Sequence, residues 1–289
     1  MEVPIHDSDG EIVGWRSVTA REELFNTLLT RNIKHFSQAK DTPFVNGALG
    51  QLLNPFEQNH FSESILQGTV DISHLSLSAP IQACIHEMQS PPGEDCSNPV
   101  DDSISPEDFA AGSKQLSEDL SSSPSGRHLG HYKAILGEPD LCAMYATIIT
   151  VPFQHGFTIH RWTSAIQVMI KKNKGCVRID KLQVIQLLEA DLNMALQIIF
   201  GRRLIHRAED RGTLPSSQWG SRPNRLSTDA ILINRLLYDG LALLCHSAVI
   251  FNNDCKATFD RMIPSVGGIV LRRLGARKNA VSTLLQALQ

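Results

Sequence analysis

The sequence predicts a helix-rich α+β fold, and three observations carry that prediction. Apolar residues recur at three-four spacing over several stretches beyond residue 126. Two short apolar runs, Ala165 to Ile170 and Leu182 to Leu187, alternate like paired strands around a basic turn. The first 120 residues are by contrast acidic, and they are weakly patterned apart from short helical stretches.

Residues 15 to 40 contain an amphipathic helix, with Thr19 as the expected N-cap, Glu22 three residues later, and Leu24, Leu28 and Leu29 on one face. From Asp41 to Gln67 the pattern dissolves into Pro, Asn, Gly and Gln, and a second, short helix is expected over Ile81 to Met88. Residues 90 to 108, rich in Pro, Ser and acid, read as a linker. Phe109 to Leu120 reads as a short helix that ends at the serines at 121 to 123. Composition thus divides the chain into an N-terminal helical extension, 1–89, an acidic linker, 90–120, and a third region, 121–289.

In that third region Leu141 to Phe153 is apolar enough for a buried helix that Pro152 should end or kink. The strand pair at 165–170 and 182–187 follows. Glu189 to Arg207 reads as a long helix with Leu192, Ala195, Leu196, Ile199 and Phe200 on its inner face and Arg202, Arg203 and Arg207 at its end. Ser227 to Leu244 is another helix, with Ser227 as cap and Ile231, Leu232, Leu236 and Leu237 as expected core contacts. Ala248 to Phe251 reads as a short buried strand that delivers Asp254 at its carboxyl end, where helix-forming residues take over. Val266 to Leu274 and Asn279 to Leu288 close the chain as helices separated by Gly275.

Charge is divided as sharply as pattern. Residues 1 to 126 hold six Lys and Arg against nineteen Asp and Glu, or −13, while residues 127 to 289 hold twenty-one against eleven, or +10. A polyanionic partner for the basic part is the expectation that follows. No apolar run approaches a membrane span, and the acidic N-terminus lacks the order of a signal peptide, so an intracellular protein with no membrane partner is expected. The six cysteines show no paired spacing, which fits reduced thiols. His128-x2-His131 and Cys84-x-His86 with Cys96 do not supply four zinc ligands at familiar spacing.

Three ordered blocks carry the chemistry. Residues 162–204 combine a tryptophan, a lysine-rich turn between short strands and a long helix. Residues 217–232 read SQWGSRPNRLSTDAIL, and residues 248–262 read AVIFNNDCKATFDRM. In that order they resemble the fingers, the Gln-x-Gly-Phe-Arg segment and the first catalytic motif of reverse transcriptases, especially those of non-LTR retrotransposons. A weaker echo, SSSPSGRHLGHYKAIL at 121–136, resembles the segment that opens such domains. The resemblance covers roughly residues 121 to 289, and it implies an incomplete right-hand polymerase of fingers and the first part of the palm.

The resemblance implies roles for particular residues. Asp254, with the backbone carbonyl of Cys255, would hold Mg2+, a hard ion that favours oxygen ligands. Nucleotide addition uses two such ions about 3.5–4 Å apart. Phe259 would act as a steric gate against a ribose 2′-hydroxyl, while the role of Asp260 is less defined. Lys171, Lys172, Lys174 and Arg178, with Lys181 nearby, would neutralise the triphosphate or template phosphates. Gln218, Gly220, Arg222 and Arg225, in a loop that leads a helix, would approach the nucleic-acid backbone. An RNA template and a DNA primer are the implied partners, with the later part of the palm.

Departures from the family accompany these matches. Gln183 stands where the family places an arginine, and Ser221 where it often places phenylalanine. The family's later Asp-Asp pair does not follow Asp260, since the sole adjacent aspartates are Asp101 and Asp102. One carboxylate cannot hold two magnesium ions productively. The expectation is therefore a fragment of an RNA-directed DNA polymerase that is inactive by itself, with a noncatalytic nucleic-acid-binding or interaction protein as the competing reading.

Overall fold

The computed structural model of the chain describes residues 1–54, 56–90, 99–115, 124–249 and 261–289. Asp254, Cys255, Phe259 and Asp260, and the second half of the expected strand, Ile250 and Phe251, therefore lie outside the described residues; its first half, Ala248 and Val249, is described and is exposed with no strand pairing, Val249 at 78%, because an apolar run becomes a buried strand only where a neighbour covers it. What is described is helix-rich α+β, with two small antiparallel sheets.

An N-terminal hairpin, β1 (Glu2–His6) and β2 (Ile12–Ser17), precedes α1 (Arg21–Phe36). The helix was anticipated but its cap was not: Ala20 is the N-cap, and no side chain bonds there. Between Asp41 and Gln67, where apolar periodicity fails, two short helices form, α2 (Gly47–Leu53) and α3 (His60–Gln67). Their signal was polar, because Asn46 accepts from Gly47 N–H and Asn59 from Ser62 N–H. Helix α4 (Ala79–Glu87) follows where a short helix was expected.

Residues 99 to 105 are packed rather than solvated as linker composition suggested. Val100, Asp102 and Ile104 are buried, and Ile104 N–H donates to the buried Thr150 hydroxyl at 2.8 Å. Two well-placed apolar residues are enough to seat a short acidic stretch. Helix α5 (Pro106–Gln115) follows, and Gly112 is what lets it approach Met194: a Cβ there would lie 2.9 Å from that side chain.

Helix α6 (Leu129–Ile135) leads to α7 (Pro139–His155), which runs one turn past Pro152 before Gly156 ends it in the left-handed conformation. The Pro152 carbonyl accepts from Gly156 N–H and from the buried Thr283 hydroxyl, so the proline sits in a final turn that the C-terminal helix closes. Strands β3 (Ile166–Lys171) and β4 (Leu182–Leu187) pair antiparallel from Ile166↔Leu187 to Lys171↔Leu182, as their alternation anticipated.

The expected long helix is continuous but not uniform. It comprises α8 (Ala190–Leu196), a π-helical stretch (Gln197–Leu204) and α9 (Ile205–Asp210). A run of that kind is rare, and its wider turn displaces side chains from the α-helical spacing by which the segment was read. Helix α10 spans Ser227–Leu243, capped through Leu226 N–H donating to the Asp229 carboxylate at 3.1 Å rather than by Ser227. Helices α11 (Pro264–Arg273) and α12 (Lys278–Ala287) complete the chain around Gly275, whose φ of 106° favours glycine.

The main core joins α5, α6, α7, α8 and α12 around Phe109, Phe153, Trp162 and Ile199. A second cluster packs the helices between Phe44 and Met88 against Ile269 of α11. A third joins Val100 to Leu204, Val281 and Leu285, so the N-terminal region is held by the last helices. Helix α10 is the exception. Ile231, Leu232, Leu236 and Leu237, expected as core contacts, are 66, 56, 61 and 49% exposed, and no residue of the helix is buried. Periodicity reports an amphipathic face, not whether a neighbour covers it. No helix among the described residues is long and apolar enough to cross a membrane.

Candidate nucleic-acid interface

The β3–β4 hairpin places Lys171, Lys172 and Lys174 on an exposed turn. The acidic N-terminal region braces this hairpin from one side. Glu2 N–H donates to Val177 O at 3.0 Å, Val3 and Val18 bury Ile179, Arg31 donates to Leu182 O at 2.9 Å and Asn32 to the Gln167 side chain at 2.6 Å. Arg178 belongs to that brace. Its guanidinium lies 3.6 Å from the Trp15 ring centroid and pairs with Asp180 at 3.1 Å, a stacked arrangement suited to arginine. The three lysines and Arg178 are thus close in sequence but differ in employment: the lysines face solvent, and the arginine locks the turn to the N-terminal hairpin. Gln183 is exposed opposite Ile170.

The second predicted cluster is a loop held by its own arginines. Arg222 pairs with Glu209 through two 2.5 Å contacts and donates to the carbonyls of Pro215 and Gln218, and its side chain is only 5% exposed. The Glu209 hydrogen bond holds the Arg222 guanidinium above its usual range and the Glu209 carboxyl below its own. Arg225 donates to Ser216 O at 2.8 Å and lies over Trp219, while Gln218 donates to Gly220 O. Ser221 and Asn224 take positive φ values of 59° and 57°. Arg222 therefore stabilises the loop rather than projecting from it, whereas Arg225 and Gln218 remain at its surface.

One cluster escaped sequence reasoning. Glu189 and Asp191, both with fully buried side chains, converge on Arg161, which donates to Glu189 at 3.1 Å, to Asp191 Oδ1 at 2.7 Å and, closer still, to Asp191 Oδ2. Trp162 Nε1–H donates to Asp191 at 3.0 Å, and Ser125 supplies both its N–H and its hydroxyl to Glu189 at 2.8 and 2.9 Å. Burial would lower the Arg161 pKa, but the Asp191 hydrogen bond and charge outweigh it and hold the guanidinium above its usual range. The network joins the opening of the basic region, the approach to β3 and the start of α8. Its trace in the sequence is an acidic pair, Glu189 and Asp191, amid otherwise apolar residues.

Tyr132 borders this network. Burial first, and then the Asp191 charge, push its hydroxyl up to about 12, and that oxygen has no hydrogen-bond partner among the described residues. A buried hydroxyl without a partner contributes nothing to offset its desolvation. Tyr132→Phe is accordingly expected to leave the unfolding free energy unchanged or raise it by up to about 1 kcal/mol, read by urea denaturation. A loss above about 1 kcal/mol would mean that the hydroxyl is bonded.

Metal chemistry finds no assembled set in the described part. No three His, Cys, Asp or Glu side chains are grouped to hold an ion among the described residues. His128 and His131 instead cap α6, with His128 N–H donating to His131 Nδ1 and Gly130 N–H to His128 Nδ1. Asp101 and Asp102 are tied to Arg203 and Arg277 at 3.7 and 3.6 Å. Burial first raises the Asp102 carboxyl above its usual range, a rise the Arg277 charge only partly offsets; at Asp101 the bonds from Ser103 and the Arg203 charge outweigh burial and lower it. No protein-family model and no curated protein matches this chain.

Proposed function

We propose that the chain is part of an RNA-directed DNA polymerase domain of the non-LTR retroelement type, with the β3–β4 turn as a phosphate-facing element and Asp254 as a metal-binding carboxylate. The observation that carries this reading is the order of the three sequence blocks at 162–204, 217–232 and 248–262. It is supported by the exposed lysines at the hairpin turn and by the +10 charge of residues 127 to 289.

The Asp254 carboxylate and the Cys255 carbonyl are hard oxygen donors of the kind magnesium takes. When bound, the ion supplies Lewis-acid stabilisation of phosphoryl oxygens. Lys171, Lys172 and Lys174 would attract and orient phosphates, and the Phe259 ring would exclude a 2′-hydroxyl by shape. No Asp-Asp pair follows Asp260 within residues 1–289, and Asp101 and Asp102 are engaged by arginines elsewhere. Nucleic-acid binding without synthesis is therefore the activity proposed for these residues alone.

Filter retention of an RNA–DNA hybrid tests the reading. Binding should weaken as salt rises, and Lys171→Gln/Lys172→Gln/Lys174→Gln should reduce the log–log slope by about 2 to 3, at about 0.9 per duplex phosphate contact. Primer extension with magnesium should yield no product. Absence of retention at about 50 mM salt would exclude the binding role.

A further inference from the structure

Helix α1 is held along one side and bare along the other. Leu24 and Leu28 pack against Val3, Val18 and Ile179, and Arg31 and Asn32 bond the β3–β4 hairpin. Phe25, Leu29, Ile33 and Phe36 lie elsewhere on the helix. At about 100° per residue they form one stripe about 80° wide, and they are 65, 47, 62 and 40% exposed. A single exposed apolar residue needs no cause, but a row of four on one helix reads as an interaction surface.

The stripe carries its own complement. Its order of aromatic, aliphatic, aliphatic and aromatic reads alike in both directions over about 16 Å of helix. Under a two-fold axis through the middle of the stripe, Phe25 meets the second copy's Phe36 and Leu29 meets the second copy's Ile33. Charge follows the same symmetry. Arg21 and Glu22 precede the stripe, Lys40 and Asp41 follow it, and all four are exposed with no ion-pair partner among the described residues. The axis sets Glu22 against the second copy's Lys40 and Arg21 against the second copy's Asp41, and it opposes the two helix dipoles.

We propose that α1 is a self-association surface, which pairs antiparallel with α1 of a second copy of this chain. Four side chains at these exposures bury about 400 Å² per copy, or about 800 Å² in all, the size of a weak, concentration-dependent dimer rather than an obligate one. A lipid surface fits less well. An anionic membrane is met by cations along a helix flank, whereas each end of this stripe sets one cation beside one anion. Because the inner side of α1 holds β3–β4, pairing gives one assembly two lysine turns. The proposal rests on α1 and its flanks and stands whether or not the polymerase reading does.

Sedimentation equilibrium of the full chain without nucleic acid, from about 1 to about 500 µM, tests it. Wild type should pass from monomer to dimer within this range. Leu29→Glu/Ile33→Glu should stay monomeric; both positions are exposed, so it is expected to fold, which a thermal melt checks. Glu22→Lys and Lys40→Glu should each weaken the dimer about two- to thirtyfold, because two symmetry-related pairs are lost. Glu22→Lys/Lys40→Glu should restore it, since the exchange recreates both pairs, and this series decides the matter if the first variant does not fold. A monomer at the highest concentration would overturn the proposal, as would flotation of that monomer with phosphatidylserine vesicles, which marks a lipid surface. So would a dimer left unchanged by folded Leu29→Glu/Ile33→Glu, or an exchange variant no tighter than the single ones, either of which places the contact elsewhere.

Discussion

Arg161→Ala is expected to lower the unfolding free energy by about 3–5 kcal/mol, because it strands two buried carboxylates without their cation. Glu189 would keep the two Ser125 donors and Asp191 the Trp162 indole, but neither bond neutralises charge. Arg161→Lys should recover only part of the loss, since an ammonium cannot span Glu189 and both Asp191 oxygens in the planar geometry the guanidinium uses. Urea denaturation of the two variants reads the difference. A loss for Arg161→Ala below about 1 kcal/mol would place the cluster at the level of an exposed ion pair, contrary to the full burial of both carboxylates.

Ile269→Ala is expected to cost about 2–5 kcal/mol, the range for emptying a fully buried aliphatic site. Ile269 is 0% exposed and is the C-terminal residue buried among Phe44, Leu49, Leu53, Ile65 and Ile85, so its truncation should loosen the N-terminal helices from α11. Leu236→Ser provides the contrast. At 61% exposure it should change stability by no more than about 0.5 kcal/mol, although helical spacing alone would assign both residues to a core. Equal losses for the two variants would show that α10 is covered in solution by a surface the described residues do not include.

The elements that sequence reading located best are those whose periodicity and burial agree. The β3–β4 pair alternates cleanly, and α11 and α12 are separated by a glycine with positive φ. Helices α2 and α3 were hidden because their starts are set by asparagine side chains, a local signal that apolar periodicity does not register. The N-terminal hairpin was hidden for another reason: the buried residues at its inner face, Val3 on β1 and Val18 just past β2, are few, and they gain their cover from Ile179, far along the chain. Likewise, the charge pattern of residues 171–181 marks a basic turn but cannot tell which cation is free. The placement of Trp15 beneath Arg178 and the pairing of Arg178 with Asp180 separate that residue from the three lysines. Arg222 teaches the same lesson, since its carboxylate partner lies thirteen residues earlier on α9. The Arg161–Glu189–Asp191 network required the meeting of two segments about thirty residues apart, which no local pattern encodes.

Ultraviolet cross-linking of a 4-thiouridine RNA template annealed to a DNA primer, followed by peptide mapping on the full chain, tests the central functional claim most directly. Cross-links within residues 166–187 and 217–262 are the predicted result. Cross-links confined to the acidic residues 1–126, or none at all at low salt, would contradict it.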